Sequence, residues 1–246
     1  MEETRKKEKI KACIAIAVII LAILITGIIS IKYSVEGETN MPFTLSKIVV
    51  VSRVEGVQNE GAEEKWNLSI FQNNDIYFSI EKTDNNKEDL IKNISIENIK
   101  IIETPQKGEI KTYMPNSSEG NLFSYKNEYI VENNKLTFKG ASKSNNKTLE
   151  IGNQGGTAAI RIANTNIAQY ISNEDTEIVH DTLLSKLDVK TEEITFKVSF
   201  DVVINVKNTS YMTNIVLDLP YGEDLVQNGL SSKEITDKFV FKRIVK

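Results

Sequence analysis

Residues 194–206 read Ile-Thr-Phe-Lys-Val-Ser-Phe-Asp-Val-Val-Ile-Asn-Val, and the order of their polarity decides the fold class. Every even position is apolar (Ile194, Phe196, Val198, Phe200, Val202, Ile204, Val206), while the odd positions are Thr195, Lys197, Ser199, Asp201, Val203 and Asn205. A period of two places one set of side chains on one face of a strand, whereas a helix would scatter them round its circumference. The cluster Lys207-Asn208-Thr209-Ser210 reads as a turn, after which Tyr211, Thr213, Ile215, Leu217 and Leu219 resume the alternation until Pro220 stops it. The pattern predicts a long antiparallel hairpin with one buried and one wet face.

Outward from this hairpin the chain stays β. Trp66, Leu68 and Ile70, then Gln72-Asn73-Asn74-Asp75, then Ile76, Phe78 and Ile80 read as a second hairpin with the polar quartet as its turn. Further strands are expected at 47–54, 93–103, 127–131, 135–138, 148–151 and 157–163. Within 93–103 the apolar phase slips from Ile94 and Ile96 to Ile99 and Ile101, which predicts a β-bulge or a break around Glu97 and Asn98. Helical signals are few: one turn at 87–91, and a capping box at 231–237 in which Ser231 and Glu234 exchange hydrogen bonds. Phe239 and Phe241 then share one face of a closing strand. Short strands, little helix and turns rich in Asn, Gly and Ser indicate an all-β antiparallel sandwich, immunoglobulin-like or jelly-roll. The immunoglobulin resemblance is architectural and lacks the buried Cys-Trp-Cys arrangement of antibody domains.

Ahead of the sandwich, residues 12–31 form an uncharged run, ACIAIAVIILAILITGIISI, preceded by Arg5, Lys6, Lys7, Lys9 and Lys11. Twenty helical residues span roughly 30 Å, the thickness of a bilayer's hydrocarbon core. Only Lys32 and Lys47 follow closely, so the positive-inside bias places a basic tail, 1–11, in the cytoplasm and the C-terminal part outside. The expected localisation is the cell membrane, crossed once. A cleavable signal peptide has an apolar core of about 7 to 15 residues and a small-x-small site. This run is longer and ends without Ala-x-Ala, so it reads as an uncleaved anchor; Cys13 lies at the wrong end for a lipid-anchored precursor. Residues 32–43, with Gly37, Asn40 and Pro42, read as a stalk, and 44–246 as the sandwich region. The stretch 114–120 is either a boundary between two β modules or a long loop within one.

The first eleven residues carry five bases and three acids, leaving 25 bases and 31 acids beyond them. An acidic exported region repels phosphate backbones, so nucleic acid is excluded as a partner class. No cysteine lies outside the apolar run, so burial rather than disulfides must stabilise the fold. Heavy use of Ile, Lys and Asn is the composition of an AT-rich, bacterial genome.

No catalytic, cofactor-binding or metal-binding residues are expected. His180 is the one histidine, which removes sites needing two imidazoles, and no G-x-S-x-G elbow accompanies it. Gly152-Asn153-Gln154-Gly155-Gly156-Thr157 lacks the Gly-Lys-Ser/Thr ending of a phosphate loop and reads as a hairpin turn. The run beginning Asp84-Asn85-Asn86 resembles a calcium loop, but Asp89 stands where that loop needs glycine. Acid clusters at Glu60, Glu63 and Glu64, at Glu192 and Glu193, and at Glu223 and Asp224 show no catalytic spacing, and the Asn-x-Ser/Thr triplets are near chance. Two functions are expected: a membrane-anchored module that binds a protein or cell-envelope polymer, or an accessory subunit whose transmembrane helix contacts a membrane partner. For the second, Ala15, Ala17, Ala22 and Gly27 supply sparse small-residue spacing.

Overall fold

In a computed structural model of the chain, residues 2–83, 88–116, 121–141, 149–221 and 225–244 are described. The N-terminal helix α1 spans Glu2–Glu36. Its segment Cys13–Glu36 is long and apolar enough to cross a membrane, a property shared with signal sequences, and none of it is buried against the rest of the chain. Gly37 ends the helix at φ +70°, where an L side chain would be strained, and its N–H donates to Tyr33 O at 2.9 Å. The segment expected as a stalk therefore divides. Residues 32–36 continue the helix, and Met41 and Phe43 are already buried in the sandwich core.

The strands are β1 (Phe43–Gln58), β2 (Trp66–Lys82), β3 (Ile91–Glu103), β4 (Glu109–Tyr113), β5 (Leu136–Gly140), β6 (Glu150–Ile151), β7 (Gly156–Ser172), β8 (Phe196–Val206), β9 (Thr209–Leu219), β10 (Leu230–Ile235) and β11 (Lys242–Ile244). They form two sheets, ordered β10-β1-β2-β7-β4 and β11-β9-β8-β3-β5-β6. Each sheet mixes strands from before and after 114–120, although residues 117–120 themselves lie outside the described residues. The architecture is a two-layer β-sandwich. Ile48, Val50, Ile76, Phe78, Ile160 and Ile162 of one layer meet Ile94, Ile96, Phe196, Val198 and Phe200 of the other in a single core. Phe78 and Phe200 touch edge to face across the layers, with ring centroids 5.6 Å apart; each fully buried phenylalanine contributes about 1.5–3 kcal/mol.

The β8–β9 hairpin has the register that the alternation implies, from Phe196 opposite Leu219 to Val206 opposite Thr209, with the turn at Lys207 and Asn208. The even residues of β8 are buried from Phe196 onward, and the odd residues of β9 from Tyr211. Ile194 instead lies in the short helix α2 (Thr191–Ile194) and enters a second core. The β3 bulge is present: the register slips between Glu97 and Lys100, and Asn98 takes φ 56° while donating from Nδ2 to Asp201 Oδ2 at 2.7 Å.

The expected hairpin at 66–80 is overturned. β2 runs through the polar quartet without turning, and Gln72, Asn73, Asn74 and Asp75 are all buried. Gln72 and Asn74 take the inward phase of Leu68, Ile70, Ile76 and Phe78, whereas Asn73 and Asp75 face outward. Neighbours on both sides make this possible, because β1 and β7 supply backbone partners along the whole quartet. Ser52 Oγ donates to Asn74 Oδ1 at 2.7 Å and Asn74 Nδ2 donates to Ile162 O at 2.9 Å. This inward polar seam separates the main core from the second one, where Val54, Leu68, Ile70 and Ile167 meet Leu183, Leu184, Val189, Ile194 and Leu225.

Three further expectations change. Residues 127–131 form a 3₁₀ turn, Asn127–Tyr129, rather than a strand, and a second such turn follows at Glu132–Asn134; a single bridge joins Ile130 to Tyr113. The expected helix at 231–237 is the edge strand β10, because β1 offers it an open ladder from Ile48 to Arg53. The turn at 152–157 carries the chain from β6 in one sheet to β7 in the other, so it is a crossover and not a hairpin. The turn expected at 87–91 begins outside the described residues, and Ile91 opens β3.

Candidate functional site

Asp75 on β2 stands directly opposite Arg161 on β7, and both face away from the main core. Arg161 Nε donates to Asp75 Oδ1 at 2.6 Å and its Nη2 donates to Asp75 Oδ2 at 2.9 Å, a fork-to-carboxylate pair. The pair is roofed by the rings of Phe123 and Tyr125. Arg161 Cζ lies 4.6 Å from the Phe123 ring centroid and 5.6 Å from that of Tyr125. Tyr125 packs its ring edge to face with Phe71 at 5.0 Å and with Tyr113 at 5.7 Å. Its hydroxyl donates to Glu55 Oε2 at 2.5 Å, and Asn73 Nδ2 donates to the same carboxylate oxygen at 2.8 Å.

Burial pushes the Tyr125 phenol far above its ordinary value, and the neighbouring Glu55 charge adds to this, so the hydroxyl stays a neutral donor. Burial opposes the Arg161 charge, but the hydrogen bonds and charge of Asp75, with Tyr125 and Glu55 beyond, outweigh it and raise the guanidinium further.

Beside this roofed pair opens a cleft of roughly 440 Å³, whose lining includes Arg53, Glu55, Asn121, Phe123, Arg161 and His180. Arg53 projects from β1 with its side chain 48% exposed, and its contact with Asp75 is a long one, 3.8 Å from Nη2 to Oδ2. His180 accepts the Gly56 N–H through Nδ1 at 2.8 Å. A neutral ring so held carries its proton on Nε2. Arg161 directs Nε and Nη2 at Asp75, and its Nη1 has no partner among the described residues. The cleft thus gathers unspent N–H donors against an aromatic wall.

The other residues weighed in the sequence are placed apart from this cleft. Asp89 is buried and paired with Lys207 at 2.5 Å, an ion pair in place of a calcium ligand. Glu193 accepts from Lys190 N at 3.0 Å and Lys107 Nζ at 2.9 Å, which closes the capping of α2. Glu64 accepts from Asn67 at 3.1 Å in the turn between β1 and β2. Glu223 and Asp224 lie outside the described residues. No group of three or more His, Cys, Asp and Glu with metal-holding geometry occurs among the described residues. Sequence reasoning missed Arg161, Asp75 and Tyr125; the available signal was a lone arginine in the apolar strand Ala158-Ala159-Ile160-Arg161-Ile162-Ala163.

On α1, Ile19, Ala22, Ile23, Thr26, Gly27 and Ser30 line a shallow groove of about 390 Å³ along one face. Ala22, Thr26 and Ser30 follow one another at four-residue spacing, which brings small side chains into register. Fold and site define a two-layer β-sandwich protein with an N-terminal helix capable of crossing a membrane. No protein-family model, curated protein or solved structure matches the chain.

Proposed function

We propose that this chain is a membrane-anchored, non-catalytic binding module: α1 crosses the cell membrane with the basic tail in the cytoplasm, and the sandwich outside engages a protein or cell-envelope polymer. The observation that carries the reading is the joint between helix and sandwich. Tyr33 Oη accepts the Arg243 N–H at 2.9 Å, Glu38 N donates to Phe241 O at 2.7 Å, and Arg243 Nε lies 3.6 Å from Glu38 Oε2. A disposable signal sequence has no use for bonds between its end and the last strand of the domain it exports, whereas an anchor that fixes the attitude of a receptor does. The cleft over β1, β2 and β7 is the surface offered to the partner. A photo-crosslinker in place of Asn121 should capture a partner in intact cells, while one in place of Lys135, exposed on the six-stranded sheet, should not. Equal capture from both positions, or none from Asn121, would overturn the assignment of the cleft.

The groove on α1 favours a second reading, an accessory subunit whose helix packs against a membrane partner. Replacing residues 12–31 with an unrelated apolar helix of the same length separates the two. Retained partner capture at the cleft supports a passive anchor; lost capture with intact insertion supports a membrane contact.

A further inference from the structure

The cleft's donors converge on one class of ligand. Arg53 is half exposed and only loosely engaged by Asp75, at 3.8 Å. Arg161, 2% exposed, reaches the cleft with Nη1 unspent because Nε and Nη2 are committed to Asp75. The neutral tautomer of His180 adds a third donor at Nε2. Two of the nearby carboxylates are engaged: Asp75 binds Arg161 through both oxygens, and Glu55 Oε2 receives both Tyr125 and Asn73. A buried guanidinium that shows a free N–H to an open cleft is a preformed hydrogen-bond donor for an acceptor brought from outside.

An ionised acceptor makes the stronger hydrogen bonds to a guanidinium, and charge decides between the anions. Arg53 and Arg161 are balanced by Glu55 and Asp75, so the cleft is close to neutral on a chain whose net charge is −4. A singly charged carboxylate meets the guanidinium fork with two oxygens and leaves one excess charge, whereas a phosphate dianion leaves two in a partly desolvated site. The Phe123 wall takes the apolar stem that carries the carboxylate.

We infer that the cleft over β1, β2 and β7 is a receptor for an acidic side chain of a partner polypeptide, with Arg53, Arg161 Nη1 and His180 Nε2 as its donors. This rests on reading the chain as a binding module. The test titrates the full-length chain in detergent micelles, by saturation-transfer NMR, with three probes: N-acetyl-glutamate α-amide, its uncharged glutamine counterpart, and inorganic phosphate. The glutamate probe should bind saturably, at least about tenfold more tightly than the glutamine probe or phosphate. Arg53→Gln should weaken it by a similar factor, and Lys135→Gln on the opposite sheet should leave it unchanged. Equal binding of the glutamine probe, preference for phosphate, or indifference to Arg53→Gln each overturns the inference. If the glutamate probe fails while Asn121 still captures a partner, the ligand class is wrong and the module stands. If it binds while Asn121 captures nothing, the receptor stands and the module's macromolecular role falls.

Discussion

Asp75 and Arg161 form a two-bond ion pair between adjacent strands, 5% and 2% exposed, beneath the rings of Phe123 and Tyr125. It lies on the face of the sheet turned away from the main core, where the sequence alternation calls for polar residues. The roof that excludes water is built from residues some forty positions earlier than Arg161. Pair and roof are therefore mutually dependent.

Removing one partner strands a buried charge. Asp75→Leu or Arg161→Met alone is expected to destabilise the chain by about 3–5 kcal/mol, and the two combined by distinctly less than the sum of the two single losses. Urea unfolding of the four proteins in detergent checks this; additive losses would show that the pair is not energetically coupled.

Position along β8 sets a sharper contrast. Phe200 is fully buried against Phe78, while Asp201 faces solvent and bonds to Asn98 and Asn214. Phe200→Asp is expected to abolish folding, and Asp201→Phe to cost about 1 kcal/mol from its lost hydrogen bonds. Thermal melts followed by circular dichroism compare them.

The helix joint is tested at Gly37. A Cβ built there lies 2.3 Å from Phe241 O, at a φ of +70° that L residues avoid. Gly37→Val is expected to break the joint while leaving the sandwich melt within about 1–2 kcal/mol of wild type. Limited proteolysis should then open sites at 36–42 that wild type protects; an unchanged cleavage map would show that the joint does not depend on Gly37.

Acid is expected to loosen the end of the sandwich farthest from α1 first. The Asn67 amide holds Glu64 below its usual 4.5, the Tyr170 hydroxyl holds Asp175 below 3.8, and the Lys190 N–H with Lys107 holds Glu193 below 4.5. A carboxylate depressed by folding stabilises above its unfolded value, and that stability is lost as pH falls through the folded value. Between pH 5 and about 3, hydrogen-exchange protection should fall in 59–67 and 170–194 before it falls in 76–80 and 158–162. Uniform loss across the chain would contradict the assignment.

Period-two alternation made the β8–β9 hairpin readable, because one face is core and the other solvent; it failed only at Ile194, which turns into a short helix, and in the turn, which takes two residues instead of four. The β3 bulge was readable for the same reason, as a phase slip between Ile96 and Ile99. The quartet at 72–75 was misread because four polar residues in a row normally mark a turn; the counter-signal was that Leu68, Ile70, Ile76 and Phe78 all hold even positions, as one unbroken strand requires. The cleft was not readable, since Glu55, Asp75, Tyr125, Arg161 and His180 come from five separate stretches joined only by sheet order and a roofing loop. Ser231 and Glu234 matched a helix cap locally, but the open edge of β1 outweighed one turn of helix.

The most direct test of the anchored architecture is cysteine accessibility in intact cells. With Cys13→Ser as background, Glu60→Cys in the exposed turn between β1 and β2 and Lys6→Cys in the basic tail are treated with a membrane-impermeant maleimide. The expected result is labelling at position 60 without lysis and at position 6 only after it. Labelling at position 60 only after lysis would contradict an exported sandwich held by a membrane-spanning α1.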